Sequence, residues 1–231
     1  MKKLVIIGAS GHGKVIADIA LKNGYTDIVF LDDNDCIKYC AGYPVVGKVE
    51  EANNFKADKI VAIGNSKIRK QIQEKLDNIV TLIHPNAVIS RRVRIGIGTV
   101  VMAGAIINSD VIIGKGCVVN TGASIDHDCK LGDYSHISVG AHVAGTVEIG
   151  MMTWVGAGAT VSNNVNICDD CMIGAGAVVI HSIDKAGTYV GVPTKEIGMK
   201  FEKLVGGGKS SNQIIIAGCL SIHAQHDRRA A

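Results

Sequence analysis

Aromatic side chains make up only 4% of this 231-residue chain, with a single tryptophan, so its core must be aliphatic. Proline is scarce too: three residues against 28 glycines. That pairing implies turns built by glycine without a proline-rich linker. Neither sign of charge dominates, and a net charge of +3 argues for neither nucleic acid nor a membrane surface as partner. No run approaches the ~18 apolar residues of a membrane span. The opening MKKLVII is cut by Gly8, Gly11 and Gly13 too early for a secretory leader. Seven cysteines, an odd number in no compact framework, point to a reducing cytoplasm. Cys168 and Cys171 form a lone CxxC with no second pair or histidine cluster, so no metal is expected.

What is present falls into two rhythms. Residues 1–80 alternate strand signals (Leu4–Ile7, Ile28–Leu31, Ile60–Ile63) with helical ones (Lys14–Asn23, Ser66–Leu76). This predicts a small parallel α/β domain of Rossmann-like character. From Ile83 every sixth residue is Ile, Val or Leu for seventeen consecutive positions, ending at Val179. Four residues after each comes a small or β-branched side chain, as at Ala87, Thr99, Cys117, Ala123 and Ser135. A hexapeptide period of this kind is the signature of a parallel β-helix. Gly96, Gly114, Gly132 and Gly150 recur every eighteen residues, so three hexads make one triangular coil with glycine at a fixed corner. Cys117, Cys129 and Cys171 fall in the small inward slot, where packing explains them.

GASGHGKV at 8–15, FLDD at 30–33, AIGNSKIRK at 62–70, ASIDHDCKLGDYSHISVGAHVAG at 123–145 and VGVPTK at 190–195 accompany the hexads. Together they resemble the bacterial hexapeptide-repeat sugar acyltransferases of the sialic-acid O-acetyltransferase type. Within that group the chain is most similar to nucleotide-linked 4-amino-sugar N-acetyltransferases, over residues 1 to about 197. The resemblance implies a left-handed β-helix over 81–197, a homotrimer, and active sites between neighbouring subunits.

GASGHGK satisfies GxxxxGK, but Val15 replaces the Ser or Thr that a P-loop needs for Mg²⁺. Its glycine spacing also differs from GxGxxG, and about 80 residues are too few for a full dinucleotide fold. A strand end, glycines and a helix start nevertheless favour an anion. Asp32 and Asp33 end the second strand, where carboxylates can take ribose hydroxyls, and Gly64 ends the third. The resemblance places the nucleotide of a UDP-sugar here, with Ser10, Gly11, His12, Asp32, Asp33 and Gly64 as substrate-binding residues.

Acetyl transfer to an amine needs a proton acceptor and donors for the oxyanion. The resemblance puts the base at His127, with Asp128 raising its basicity where some members carry Glu. Gly145 stands eighteen residues on from His127, leaving a notch and offering a backbone N–H. Val139, Ala157 and Ala175 stack in successive coils and leave a shallow groove. The resemblance places acetyl-CoA there, on His136, Ala157 and Ala175, across a subunit boundary. Trp154 is assigned to the trimer contact, and His142 and His181 to the surface. Residues 198–231, which include GGGKSSNQ, read as a linker and an unassigned tail. N-acetylation of a UDP-4-amino-sugar is the leading reading. O-acylation of a sialic acid or another sugar hydroxyl is the alternative, ahead of a non-enzymatic solenoid.

Overall fold

A computed structural model of the protein describes residues 2–197, and the expected linker and tail lie outside the described residues. The α/β domain is built from β1 (Lys3–Ile7), α1 (Gly11–Lys22), β2 (Asp27–Leu31), β3 (Tyr39–Cys40), β4 (Tyr43–Gly47), β5 (Asp58–Val61) and α2 (Ser66–Gln73). Its sheet runs β3-β4-β2-β1-β5. β1, β2, β4 and β5 are parallel, and β3 returns as an antiparallel hairpin strand. Both faces of β1 are buried: Leu4 and Ile6 pack toward α1, Val5 and Ile7 toward Ile72 and Leu76 on the other side. That is why the strand reads as a continuous apolar run.

α1 begins at Gly11, three residues earlier than its apolar periodicity predicts. The helix can start there because Gly13 has no side chain: a methyl on it would overlap the Gly8 carbonyl. Gly8 itself sits at φ +108, a conformation glycine tolerates freely. At the far end of the domain α2 closes at Gln73 rather than Leu76, its last turn loosening into the tighter bonds Lys75 N to Ile72 O and Leu76 N to Gln73 O.

The second rhythm is a β-solenoid of parallel two-residue strands starting at Leu82–Ile83. Each strand pairs with the one eighteen residues on, as Ile107 with Ile125 and Val143 with Val161. Three faces result, and the third ends in an antiparallel hairpin, Thr188–Val190 with Lys195–Ile197. The aliphatic column and the small-residue slots form one continuous core. Each fully buried Ile or Val there contributes roughly 1.5–3 kcal/mol. Cys117, Cys129 and Cys171 fill small slots, and burial raises their thiol pKa values, that of Cys171 to about 12. They are packing residues held as thiols.

The domains meet along the third face. Leu82, Val100 and Val118, outward residues of that face, share a core with Ile16 and Ile19 of α1 and with Leu4, Ile6 and Phe30. Further along the same ladder come His136, Trp154 and Met172. The contact therefore changes from apolar to polar as it approaches the glycine loop.

The eighteen-residue glycine corner has no room for a side chain. A methyl on Gly132 would sit 2.5 Å from Met151 N and 2.8 Å from the Gly150 carbonyl carbon. Gly132→Ala must push coils apart and is expected to lower stability by about 1–3 kcal/mol. Chemical denaturation followed by circular dichroism checks this, and an unchanged midpoint would refute the close-packed corner.

Candidate active site

The turn joining strands Ser124–Ile125 and Lys130–Leu131 carries His127 on an exposed corner of the solenoid. Asp126 prepares it: its Oδ1 accepts the His127 backbone N–H at 2.8 Å and the Asn108 amide at 2.8 Å, one coil below. Asp128 adopts the left-handed conformation, φ +59, which asparagine and aspartate tolerate better than most residues. Its Oδ2 lies 2.8 Å from His127 Nδ1. The shorter aspartate side chain thus reaches the ring. The Asp128 hydrogen bond, then the Asp126 charge, raise the His127 pKa above its ordinary value. With Nδ1 engaged, Nε2 is the free nitrogen. It faces Gly145, where a methyl would sit 2.7 Å from it. The Gly145 N–H has no protein acceptor among the described residues. His127, Asp128 and Gly145 are thereby brought together, with Asp126 a fourth member to which sequence reasoning gave no role. The eighteen-residue step from Asn108 to Asp126 was the available signal.

The glycine-loop residues and the strand-end aspartates lie at the carboxyl ends of β1, β2 and β5. The N–H groups of Gly11, His12 and Gly13 open α1, where intrahelical acceptors are lacking. Ser10 is the N-cap residue, with its hydroxyl unused for capping. Gly11 has open space where a side chain would be. Asp32 braces this loop: Oδ2 accepts Ala9 N at 2.7 Å and Oδ1 accepts Asn34 N at 2.9 Å. Asp33 turns away from it, accepting Val49 N at 3.1 Å on the rim of a 640 Å³ cavity shared with Lys48, Asn53 and Ile72. The two aspartates therefore serve different surroundings. Gly64 faces the solenoid, its missing side chain opening toward Trp154 Cη2 at 3.8 Å.

That places the only tryptophan at the junction of the domains. The reason is its ladder position: Trp154 sits one coil beyond His136 on the face that the α/β domain covers, the ring centroids 4.2 Å apart. His136 Nε2 lies 3.2 Å from the Asn120 amide nitrogen. When that amide donates, the His136 proton sits on Nδ1, which is buried and has no partner among the described residues. His12 Nε2 and Ser138 Oγ are likewise buried and unpartnered among the described residues. Burial, then the Arg69 charge, lower the His12 pKa to about 4 and that of His136 to about 3, with His12 adding to the latter. Both rings are neutral at physiological pH, able to hydrogen-bond a ligand without contributing charge.

Ala157 and Ala175 are exposed and stacked on Val139, as the backbone bonds Gly158 N to Val139 O and Gly176 N to Ala157 O demonstrate. They occupy the corner between the strand pairs at 154–155 and 160–161. His127 occupies the next corner round. One chain does not place the imidazole on the alanine groove. His142 and His181 are exposed, and Nδ1 of the former pairs with Ser124 Oγ at 2.8 Å. No group of three or more potential metal ligands occurs among the described residues.

A hexad solenoid with an imidazole–carboxylate pair on one outer corner, fronted by a glycine-loop α/β domain, has the architecture of a hexapeptide-repeat acyltransferase. Residues 3–76 match the PglD N-terminal domain family. The acetyltransferase domain of PglB from Neisseria gonorrhoeae FA1090, solved in complex with acetyl coenzyme A, is 40% identical, with a TM-score of 0.81 over 85% of this chain and 99% of that one. PerB from Caulobacter crescentus, solved in complex with CoA and GDP-perosamine, is 36% identical, with a TM-score of 0.81 over 86% and 98%. The UDP-N-acetylbacillosamine N-acetyltransferase of Bacillus subtilis (strain 168) is 38% identical over 112 residues, 44% of this chain. That match spans about half the length of the relative, 52%. The chain belongs to the PglD-type hexapeptide-repeat sugar N-acetyltransferases.

Because Asp128 is the largest cause of the raised His127 pKa, Asp128→Asn is expected to shift the imidazole titration to lower pH. His12 and His136 should stay neutral down to about pH 5 in both proteins. Histidine C–H resonances followed by NMR across about pH 4–9, the span from the Asp to the Cys reference value, test both statements. An unmoved His127 midpoint would remove Asp128 from the pair.

Proposed function

We propose that the protein transfers acetyl from acetyl-CoA to the 4-amino group of a UDP-linked amino-deoxy sugar, in the cytoplasmic supply of sugars for surface glycans or glycoproteins. The observation that carries this reading is the 2.8 Å bond between His127 Nδ1 and Asp128, which leaves Nε2 free where the ring lies over Gly145, filling the notch expected there. In the reaction the neutral amine attacks the thioester carbonyl and gives its proton to His127 Nε2. The Gly145 N–H donates to the carbonyl oxygen as negative charge develops there. Collapse expels the CoA thiolate, which takes the proton back from the imidazolium. Amide and thiol are the products, and the base is regenerated. Asp128 holds the ring in the tautomer this requires and stabilises the imidazolium.

Ser10, Gly11 and His12 bind the diphosphate end of the acceptor at the start of α1. Asp32 orders that loop and Gly64 lets the ligand pass close to the backbone, while Asp33, turned toward Val49 and the opposite cavity, takes no part in holding the acceptor. His136, Ala157 and Ala175 bind acetyl-CoA. Since the alanine corner and the His127 corner of one chain are separate, the donor groove is completed by a neighbouring copy in a homotrimer. The proteins from N. gonorrhoeae and C. crescentus, solved with acetyl coenzyme A or with CoA and GDP-perosamine, support a CoA donor and a nucleotide-linked amine. O-acylation of a sugar hydroxyl is not favoured, since the B. subtilis relative is named an N-acetyltransferase.

Free-thiol release from acetyl-CoA, measured with UDP- and GDP-amino-sugars and with free sugars, tests the assignment. A UDP-4-amino-6-deoxy sugar is expected to support turnover, and a hydroxyl acceptor is not. His127→Ala is expected to lose roughly 10²–10⁴ in kcat. Gly145→Ala, which crowds Nε2, should lower kcat while leaving the fold intact. Wild-type kcat in His127→Ala at saturating acceptor would overturn the mechanism.

A further inference from the structure

Helix α2 buries a polar stripe beside Ile72, which packs against the sheet. Its buried residues are Ser66, Arg69 and Gln73, whereas Ile68 is exposed. Arg69 is 1% exposed and has no carboxylate partner among the described residues. A lone cation in such a place is costly unless its donors are met. They are: Nε donates to Gly116 O at 2.7 Å, Nη1 to Ile63 O at 2.8 Å and Gly64 O at 2.7 Å, and Nη2 to Tyr134 O at 2.8 Å and Ser66 Oγ at 3.5 Å.

The acceptors belong to two structures that must keep a fixed relation. Ile63 and Gly64 are the turn leaving β5, at the end of the sheet where the glycine loop lies. Gly116 and Tyr134 are the same corner of two successive coils, both left-handed, at φ +62 and +59. One coil lower, Gln73 Nε2 donates to Ile97 O at 3.3 Å. Four helical residues rise about 6 Å, close to the ~4.8 Å between neighbouring strands. The polar stripe of α2 thus keeps pace with the column of corner carbonyls. Only a planar group with five donors can tie four carbonyls of two domains at once.

We propose that Arg69 is the positioning residue of the acceptor pocket, tying the Ile63–Gly64 wall to the Gly116 and Tyr134 corners so that Gly64 and the glycine loop keep a set height over Trp154 and His136. The inference rests on the acceptor site described under Proposed function. Its charge also bears on the neutral state of His12 and His136.

The test compares Arg69→Met, Arg69→Lys and Gln73→Leu with the wild-type protein by kinetics and by fluorescence. In Arg69→Met the acceptor KM should rise about tenfold or more, with the acetyl-CoA KM within about twofold and kcat much less affected, the pattern of lost ground-state binding. Arg69→Lys should not rescue it, because an ammonium cannot span the four carbonyls. Gln73→Leu, one coil away from the pocket, should give a smaller rise, and it carries the test together with Arg69→Lys if the methionine variant does not fold. Emission from Trp154, the only tryptophan, should shift to the red and become more open to acrylamide quenching. That readout needs no turnover. Unchanged Trp154 emission, or equal KM increases for both substrates, would overturn the inference. A wild-type protein that acetylates no nucleotide-linked amine would instead count against the proposed function, while the fluorescence result would still judge the tie.

Discussion

Everything in the molecule is referred to one constraint: inward side chains must stack on their own kind every eighteen residues. Ile107 on Ile125 on Val143 on Val161 is a single column, and its dryness requires every coil to have the same perimeter. Equal perimeters in turn bring corner backbones into contact, which is why Gly96, Gly114, Gly132 and Gly150 carry no side chain. They also make each outward position a ladder. A ladder converts distance along the chain into distance along an axis. On such a frame a reactive side chain need only be put at the right residue number to be held in three dimensions.

The α/β domain uses that frame in two chemically different ways. Where α1 meets Leu82, Val100 and Val118 the contact is an ordinary apolar core. Where the loops come near His136 and Trp154 it becomes a set of hydrogen bonds from Arg69 and Gln73 to turn carbonyls. Apolar burial supplies adhesion without direction; guanidinium bonds supply direction. The order is functional, because the directional part lies next to the glycine loop and the merely adhesive part lies away from it. Five buried polar atoms without partners among the described residues, on His12, Gln73, Tyr134, His136 and Ser138, fall in the directional half.

Periodicity made the solenoid, its inward slots and its glycine corner legible, because each is a statement about spacing along one chain. The pairing of His127 with Asp128 and with Gly145 was legible for the same reason: one is a neighbour and the other is one coil up. Arg69 was not, although it lies within the motif AIGNSKIRK, because its partners Gly116 and Tyr134 are 47 and 65 residues away in another domain. Nothing local marks an arginine that binds carbonyls instead of carboxylates. What Trp154 meets within the chain was not legible, because the hexad pattern says which residues face outward but not what covers them. The start of α1 was missed because glycine lowers helix propensity, and only the close approach of Gly13 to Gly8 shows why the helix begins where it does.

The quantised geometry of the coil also governs how such a chain can change in length. Six extra or missing residues ahead of His127 would rotate it by one face, about a third of a turn given three hexads per coil. Eighteen would restore its facing but translate it by one strand spacing, ~4.8 Å, relative to the α/β domain. Past Val179, where the hexads end, whole coils could be appended with no effect on the reacting corner. Length variation in this lineage should therefore be confined to the distal end and should come in triplets of hexads.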